Sequence, residues 1–443
     1  MVRVDHHHLD MMADAQCIVR HQPADILADV NGSPTASWRS FGQVFQYICN
    51  GARSPASKKV STPAESRARI ETVLQFLNGK GPDSQIPGLA NLGNTCFMNA
   101  VLQCLLNTPG RLLESCTAFA DLNPNGIAEK GLLGLRFAEL ATEYGLRDGG
   151  SLPRNSSALV GLKASMAALD SKYAGCQQQD AYEFLGCLLE GLDENFTAVL
   201  KAKFGSFCQL PLPPSGIVRS VCGVASHSTR CCQRCLECFE VDHSVDTVLR
   251  LPLISPEAQM DEAVRAKEET EPITLKELID AAQKPEDIDG YDCDKCREIA
   301  EKAEVDHERS LVTQRAGLVS ETRDILCIAL YRFLNVMDEQ GNFSAVKIQR
   351  RVAIPTVLSF ETGEYRLYGV VSHEGSTLAS GHYIAAVRSL RDHQWWSCSD
   401  AQVTPLHLRN LYEVSEITAT KPDATPFILF YHRMEADMEF TEI

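Results

Sequence analysis

The sequence predicts an α+β chain, a helical first half followed by a strand-rich second half, and three patterns carry that prediction. Apolar residues recur at helical spacing between Cys96 and Leu192. From about Phe204 onward the apolar runs shorten and alternate with polar interruptions, as strands do. Within the strand-rich part, cysteines paired as C-x-x-C occur in two places, at 232–238 and 293–296.

Length and composition set the bounds. A chain of 443 residues holds two or three domains' worth of material and a sizeable core. A formal charge of −16 counts against nucleic acid and anionic membranes as partners, and favours a partner with a basic surface or tail. The 17 cysteines are an odd number spread along a long chain. The first residues are polar and His-rich rather than a signal peptide, so free thiols and metal ligands are expected in place of disulfides. No apolar run approaches the roughly 18 residues that span a bilayer. A soluble protein of the cytoplasm or nucleus is expected.

Residues 1–60 read as a flexible extension, in which His6, His7 and His8 are solvated and Gly51 to Ser61 is a Ser/Pro-rich linker. A helical lead-in follows over 62–84. Thr62 is its N-cap, Pro63 its first helical residue, and Glu65 completes a capping box. Next come two Gly and two Asn in an irregular loop, Gly88 to Asn94, and a helix that begins at Cys96. A cysteine there meets unpaired backbone N–H groups and the positive end of the helix dipole, which lowers a thiol's pKa. Alone, that position would equally suit a buried structural thiol. Helical patterns continue through 132–140 and 159–169 to a stripe of Ala181, Phe184, Leu185, Leu188, Leu189 and Leu192. Asp180 and Glu183 stand three apart at the start of this helix, so both carboxylates can face one way near its positive end.

In the second half, Cys231, Cys232, Cys235 and Cys238 offer two overlapping C-x-x-C pairs, and Cys293 with Cys296 offers another. Two such knuckles suit a tetrahedral Cys₄ zinc site, although the long spacing leaves open which cysteines bind. The acidic stretch from Ser255 to Pro272 reads as a mobile insertion, and Thr274 opens a helix. Asp324 to Phe333 is a buried strand ending in Arg332-Phe333. Tyr365 to Ser372 is a strand, followed by His373, a small-residue loop and Gly381-His382-Tyr383. Gln394 to Val403 and the run from Pro426 to Arg433 complete the pattern.

The stretch G-L-A-N-L-G-N-T-C-F-M-N-A-V-L-Q, from Gly88 to Gln103, resembles the cysteine box of the ubiquitin-specific protease family at every specified place. Q-Q-D-A-Y-E-F-L around Asp180 and G-H-Y around His382 resemble two further family motifs, in family order. The resemblance implies a papain-like cysteine protease fold with a helical thumb, a β-rich palm and zinc-bearing β fingers. It would cover a catalytic domain over 85–435, with fingers at about 204–325 and a tail at 436–443. Cys96 would be the nucleophile, His382 the general base, and Asn91 the oxyanion donor. The third catalytic position falls on Ser399, where the family pattern usually carries Asn or Asp, with Asp400 beside it to supply charge. Asp180 and Glu183 would hold the arginines of ubiquitin's C-terminal tail. Cys232, Cys235, Cys293 and Cys296 would bind one structural Zn²⁺, leaving Cys231 and Cys238 as spectators, and no catalytic cofactor is implied. Arg332 and His373 read as structural. The expected partners are ubiquitin or ubiquitinated proteins. An inactive ubiquitin-binding scaffold and a protease for another ubiquitin-like modifier are the competing readings. A papain-type protease is disfavoured because no C-G-S-C-W signature occurs.

Overall fold

Eleven consecutive residues, Cys96–Leu106, form a helix (α1) in which every side chain is buried. A helix covered on all sides belongs inside a domain, and the remaining elements are arranged around it. The structure, a computed structural model, describes residues 85–109, 112–113, 116–117, 132–147, 149–204, 216–337, 343–360, 363–377, 380–390, 393–406 and 424–434. The extension at 1–60, the lead-in helix at 62–84 and the tail at 436–443 lie outside the described residues.

Three helices flank α1: α2 (Leu132–Leu146), α3 (Ser157–Leu169) and α4 (Ala181–Phe204). The side chain of Ser156 caps α3 by accepting from the N–H of Leu159 at 3.2 Å. The α4 stripe read from the sequence, Ala181 through Leu192, is fully buried against α1 and its neighbours.

Among the described residues the second half forms two two-stranded pairings, Phe333–Met337 with Phe343–Lys347 and Val352–Ala353 with Ile273–Thr274, and two larger sheets. One is four-stranded and built from β1 (Val224–Cys232), β2 (Cys238–Asp246), β4 (Glu286–Tyr291) and β5 (Ser310–Thr322) in the order β2-β1-β5-β4. The other has eight strands. It includes β3 (Leu249–Pro252), β6 (Ile325–Tyr331), β7 (Gly363–Thr377), β8 (Ser380–Arg388), β9 (Trp395–Ser399), β10 (Gln402–Leu406) and β11 (Ala424–Arg433), in the order β10-β9-β8-β7-β11-β6-β3. The strand Val357–Phe360 pairs with β7 from the side.

Strand alternation buries both faces of this larger sheet. Cys327, Val371, Ala385, Val387 and Ile428 face the helices. Their neighbours Leu326, Ile328, Val370, Ala386 and Leu429 face the other way, against Leu275, Leu278 and Ile279 of the helix Leu275–Ala282. That helix opens with the capping box of Thr274 and Glu277.

The stretch from Ser255 to Pro272 departs from the mobile insertion that its composition suggested. It folds as two short helices, Pro256–Met260 and Glu262–Thr270, capped by Ser255 and Asp261. Glu268 accepts from the Ser255 hydroxyl at 2.6 Å, and buried Arg265 donates to the carbonyl of Ala258. The reason lies in these caps and ties, which an Ala/Glu/Lys-rich composition conceals.

Arg332 is buried, and its guanidinium donates to the carbonyls of Ile348, Arg350 and Pro426. Burial lowers its pKa to about 9. It therefore anchors the turn after β6 to two other segments, as the sequence reading held. Arg332→Ala leaves three carbonyls without a donor, so unfolding in urea should show a loss of about 2–4 kcal/mol.

Candidate active site

The loop before α1 is folded by its own polar side chains. Asn91 Oδ1 accepts from the N–H groups of Gly93 at 2.9 Å and Thr95 at 3.2 Å, and Thr95 Oγ1 accepts from the N–H of Leu92 at 2.9 Å. Gly93 lies at φ +111°, and a Cβ there would come within 2.9 Å of Cys176 Sγ. The turn and the close approach both require glycine. This loop delivers Cys96 to the first position of α1, as the sequence predicted.

The expected lowering of the Cys96 pKa does not follow. Burial pushes the thiol above its ordinary value and the Asp400 carboxylate adds to the rise, against the N–H groups of Tyr383, Phe97 and Cys96 itself. Burial outweighs the helix terminus because Cys96 is only 4% exposed and lies inside the domain, not at a wet helix end.

The N–H of Tyr383 that reaches the sulfur belongs to the residue after His382, so the fold carries β8 against the start of α1. His382 Nε2 lies 2.9 Å from Ser399 Oγ, which leaves Nδ1 as the ring's other nitrogen. Behind it, His373 is fully buried, and burial together with Lys347 lowers its pKa to about 3. Its ring packs edge-on to Tyr383 with centroids 4.7 Å apart. A Cβ on Gly381 would meet His373 Nε2 at 2.6 Å and the carbonyl of Glu374 at still shorter range, so the residue before His382 must be glycine.

Asp400, expected to supply charge near the imidazole, has both carboxylate oxygens held by asparagines. Its Oδ2 accepts from Asn91 Nδ2 at 2.9 Å and its Oδ1 from Asn99 Nδ2 at 2.7 Å. Its carbonyl also accepts from the N–H of Leu89 at 2.9 Å. The two-residue turn between β9 and β10 places Asp400 at φ +52°, a conformation that Asp tolerates better than most residues.

Asp180 and Glu183 also divide their work. Asp180 precedes α4 and caps it, with Oδ1 accepting from the N–H groups of Tyr182 at 2.6 Å and Glu183 at 3.1 Å. Burial raises its pKa to about 6 in spite of those donors. Glu183 is exposed and accepts from Lys172 Nζ at 2.9 Å. The two carboxylates thus share one end of the helix, but only Glu183 stands clear of the backbone.

Comparison with known proteins agrees with this arrangement. The family model described as ubiquitin carboxyl-terminal hydrolase matches residues 87–431. The chain belongs to the ubiquitin carboxyl-terminal hydrolase family. Ubiquitin carboxyl-terminal hydrolase 25 of Arabidopsis thaliana is 24% identical over 370 residues, covering 78% of this chain and 47% of that one. Ubiquitin carboxyl-terminal hydrolase 2 of Homo sapiens is 26% identical over 403 residues, covering 84% and 59% respectively. The chain therefore spans about half to three fifths of the length of these relatives. Among solved structures, the SAGA Ubp8/Sgf11/Sus1/Sgf73 module bound to ubiquitin aldehyde matches with a TM-score of 0.54 at 20% identity, covering 79% of this chain and 70% of that one. The same module with a Ubp8 variant and monoubiquitin gives 0.56 at 18%, covering 91% and 76%. These likenesses establish the papain-like fold expected of the family.

A candidate metal site lies at the end of the four-stranded sheet. The sulfurs of Cys232, Cys235, Cys293 and Cys296 all lie within 4.8 Å of one another. Cys232 and Cys296 are 3.6 Å apart, and Cys235 and Cys293 are 3.7 Å apart. Four thiolates at about 2.3 Å from one zinc ion would be about 3.8 Å from each other, so the donor set fits. Ser310 donates to Cys296 Sγ at 3.6 Å, a support that orients a ligand sulfur.

Cys231 and Cys238 are not spectators. They face each other across β1 and β2 and form a disulfide, against the expectation of free thiols throughout. The crosslink closes the hairpin that presents Cys232 and Cys235, and it takes from the overlapping pair the cysteine that would compete for metal. Zinc bound here should leave faster to a chelator in Cys231→Ser, because opening a crosslink on so short a loop costs about 2 kcal/mol of local order. A metallochromic dye would follow the release.

Sequence reasoning gave no role to Asn99, Lys172 or Tyr383. Asn99 lies inside the cysteine box, so its polarity at a buried helix position was a usable signal. Lys172 and the Tyr383 amide had none, since both act through contacts between separate elements rather than within one helix or strand.

Proposed function

We propose that this chain is a cysteine-type deubiquitinase, cleaving the peptide or isopeptide bond after the C-terminal glycine of ubiquitin. The observation that carries the reading is the pairing of His382 Nε2 with Ser399 Oγ on a strand whose next amide reaches the Cys96 sulfur. With Nε2 so engaged, Nδ1 takes the thiol proton as sulfur attacks the carbonyl carbon. The same proton passes to the leaving amine as the C–N bond breaks, giving a thioester on Cys96. Water then attacks the thioester, His382 takes its proton, and the thiol and the ubiquitin carboxylate are released.

A thiol held above its ordinary pKa makes the histidine a true general base rather than half of a standing ion pair. Asn91 donates to the oxyanion with the amide hydrogen that Asp400 does not hold. Ser399 orients the imidazole by a neutral hydrogen bond, while Asp400 positions Asn91. One zinc ion with four thiolate ligands has no open position for water, and its part would be structural.

An electrophilic ubiquitin C-terminal probe should label Cys96 and nothing else. A chain that binds ubiquitin without labelling would be a scaffold, and labelling by a different modifier in preference would move the substrate.

The roles of Ser399 and Asp400 separate in a double-mutant cycle on turnover of a fluorogenic ubiquitin substrate. Asn91→Ala and Asp400→Ala should each cost about 10²–10³-fold, and the double variant little more, because both remove one donor. Ser399→Ala should cost about tenfold and add to Asn91→Ala, as the loss of a single neutral hydrogen bond does. Additive losses for Asn91 and Asp400 would return Asp400 to the histidine.

A further inference from the structure

Glu183, the clearest acidic group at the start of α4, already has a cation. Lys172 Nζ lies 2.9 Å from Glu183 Oε2 and 3.3 Å from Asp170 Oδ2, and 5.1 Å from the centre of the Tyr173 ring. The lysine is placed by a rigid turn, Ser171–Tyr173, whose first N–H groups Asp170 caps through the N–H of Lys172. Gln179 donates to the Lys172 carbonyl at 3.3 Å, closing the turn onto the residues before α4. Tyr173 is buried and packs on Phe97, next to the nucleophile, and on Phe184 of α4. The position of Lys172 is therefore fixed relative to both Cys96 and Glu183, while its ammonium remains about one-third exposed (33%).

We propose that Lys172 is a built-in counter-ion, occupying Glu183 until a basic residue of the incoming tail displaces it, and so sets the affinity for a cationic tail. The proposal rests on the reading of this end of α4 as the tail-binding site. Two features make the exchange feasible. An ammonium is a point charge, whereas a guanidinium offers a carboxylate two parallel hydrogen bonds, so an arginine holds Glu183 better than a lysine does. Lys172 also keeps Asp170 and the Tyr173 ring face when it lets go, so it is not left without a partner. Among the described residues the charges facing Lys172 are Asp170, Glu183 and Asp180. With all three ionised the group is negative by two, still attractive to one further cation. Without Lys172 it would be negative by three.

The test is binding of ubiquitin to the full chain carrying Cys96→Ala, which cannot turn over. In that background Lys172→Met should bind ubiquitin about three- to fivefold tighter at low salt, the scale of one half-exposed ion pair. The gain should vanish in about 0.5 M salt, where charges at this distance are screened. It should also vanish against ubiquitin whose tail arginines are replaced by alanine. A purely structural lysine would show neither dependence. Lys172→Arg, which keeps the turn and the charge, should bind no tighter than the parent and guards against a folding defect in the Met variant. Equal or weaker binding by a folded Lys172→Met overturns the proposal and leaves the function standing. No binding by the parent, or none of it lost in Glu183→Gln, overturns the reading of the tail site and the proposal with it.

Discussion

Both oxygens of the Asp400 carboxylate are taken by side-chain amides from the other half of the chain, Asn91 on the loop before α1 and Asn99 within it. With the carbonyl of Asp400 also accepting from Leu89, three bonds join the tip of the β9–β10 hairpin to the segment that presents the nucleophile. That hairpin carries Ser399, and Ser399 touches His382. Cys96, Ser399 and Asn91, which the proposed function makes nucleophile, base-orienting hydroxyl and oxyanion donor, are therefore parts of one crosslinked body, although about 300 residues of chain separate them. The left-handed backbone at Asp400 costs on the order of 1 kcal/mol, which hydrogen bonds to a charged acceptor more than offset.

Burial governs the chemistry on both sides of this clamp. It pushes the Cys96 thiol above its ordinary pKa, lowers that of His373 to about 3, and raises that of Asp180 to about 6. In the proposed reaction, a thiol raised in this way would be a poor target for stray electrophiles and would gain its nucleophilicity once base and substrate were both in place. The charged groups that remain, Asp170, Glu183 and Lys172, sit where a basic tail would arrive. The chain's overall charge of −16 works in the same direction over a longer range.

The zinc-type site is remote in sequence from this centre but is joined to the palm sheet by short connections. Only Thr247 and Val248 separate β2 from β3, and only Arg323 and Asp324 separate β5 from β6. Joints of two residues leave little freedom, so the four-stranded sheet is held in orientation by two strands that continue into the larger one. At its far end the crosslink of Cys231 and Cys238 orders a tip with a small core, where Val312 is the fully buried aliphatic residue among the cysteines, and an ion held by the four sulfurs would order it further.

The sequence by itself determined what depends on local order. Helical spacing gave α1 and the α4 stripe, the glycines and asparagines gave the loop that carries Cys96, and the paired cysteines gave the metal knuckles. Motif resemblance added His382, Ser399 and Asn91 before any contact was known. Tertiary structure alone decided how those groups share their partners. It gave Asp400 two asparagines as partners, reversed the sign of the Cys96 shift, gave Glu183 a lysine and joined Cys231 to Cys238. Each of these depends on burial or on contact between distant segments. Periodicity and spacing report how a residue sits in its own helix or strand, and carry no record of what another part of the chain brings against it.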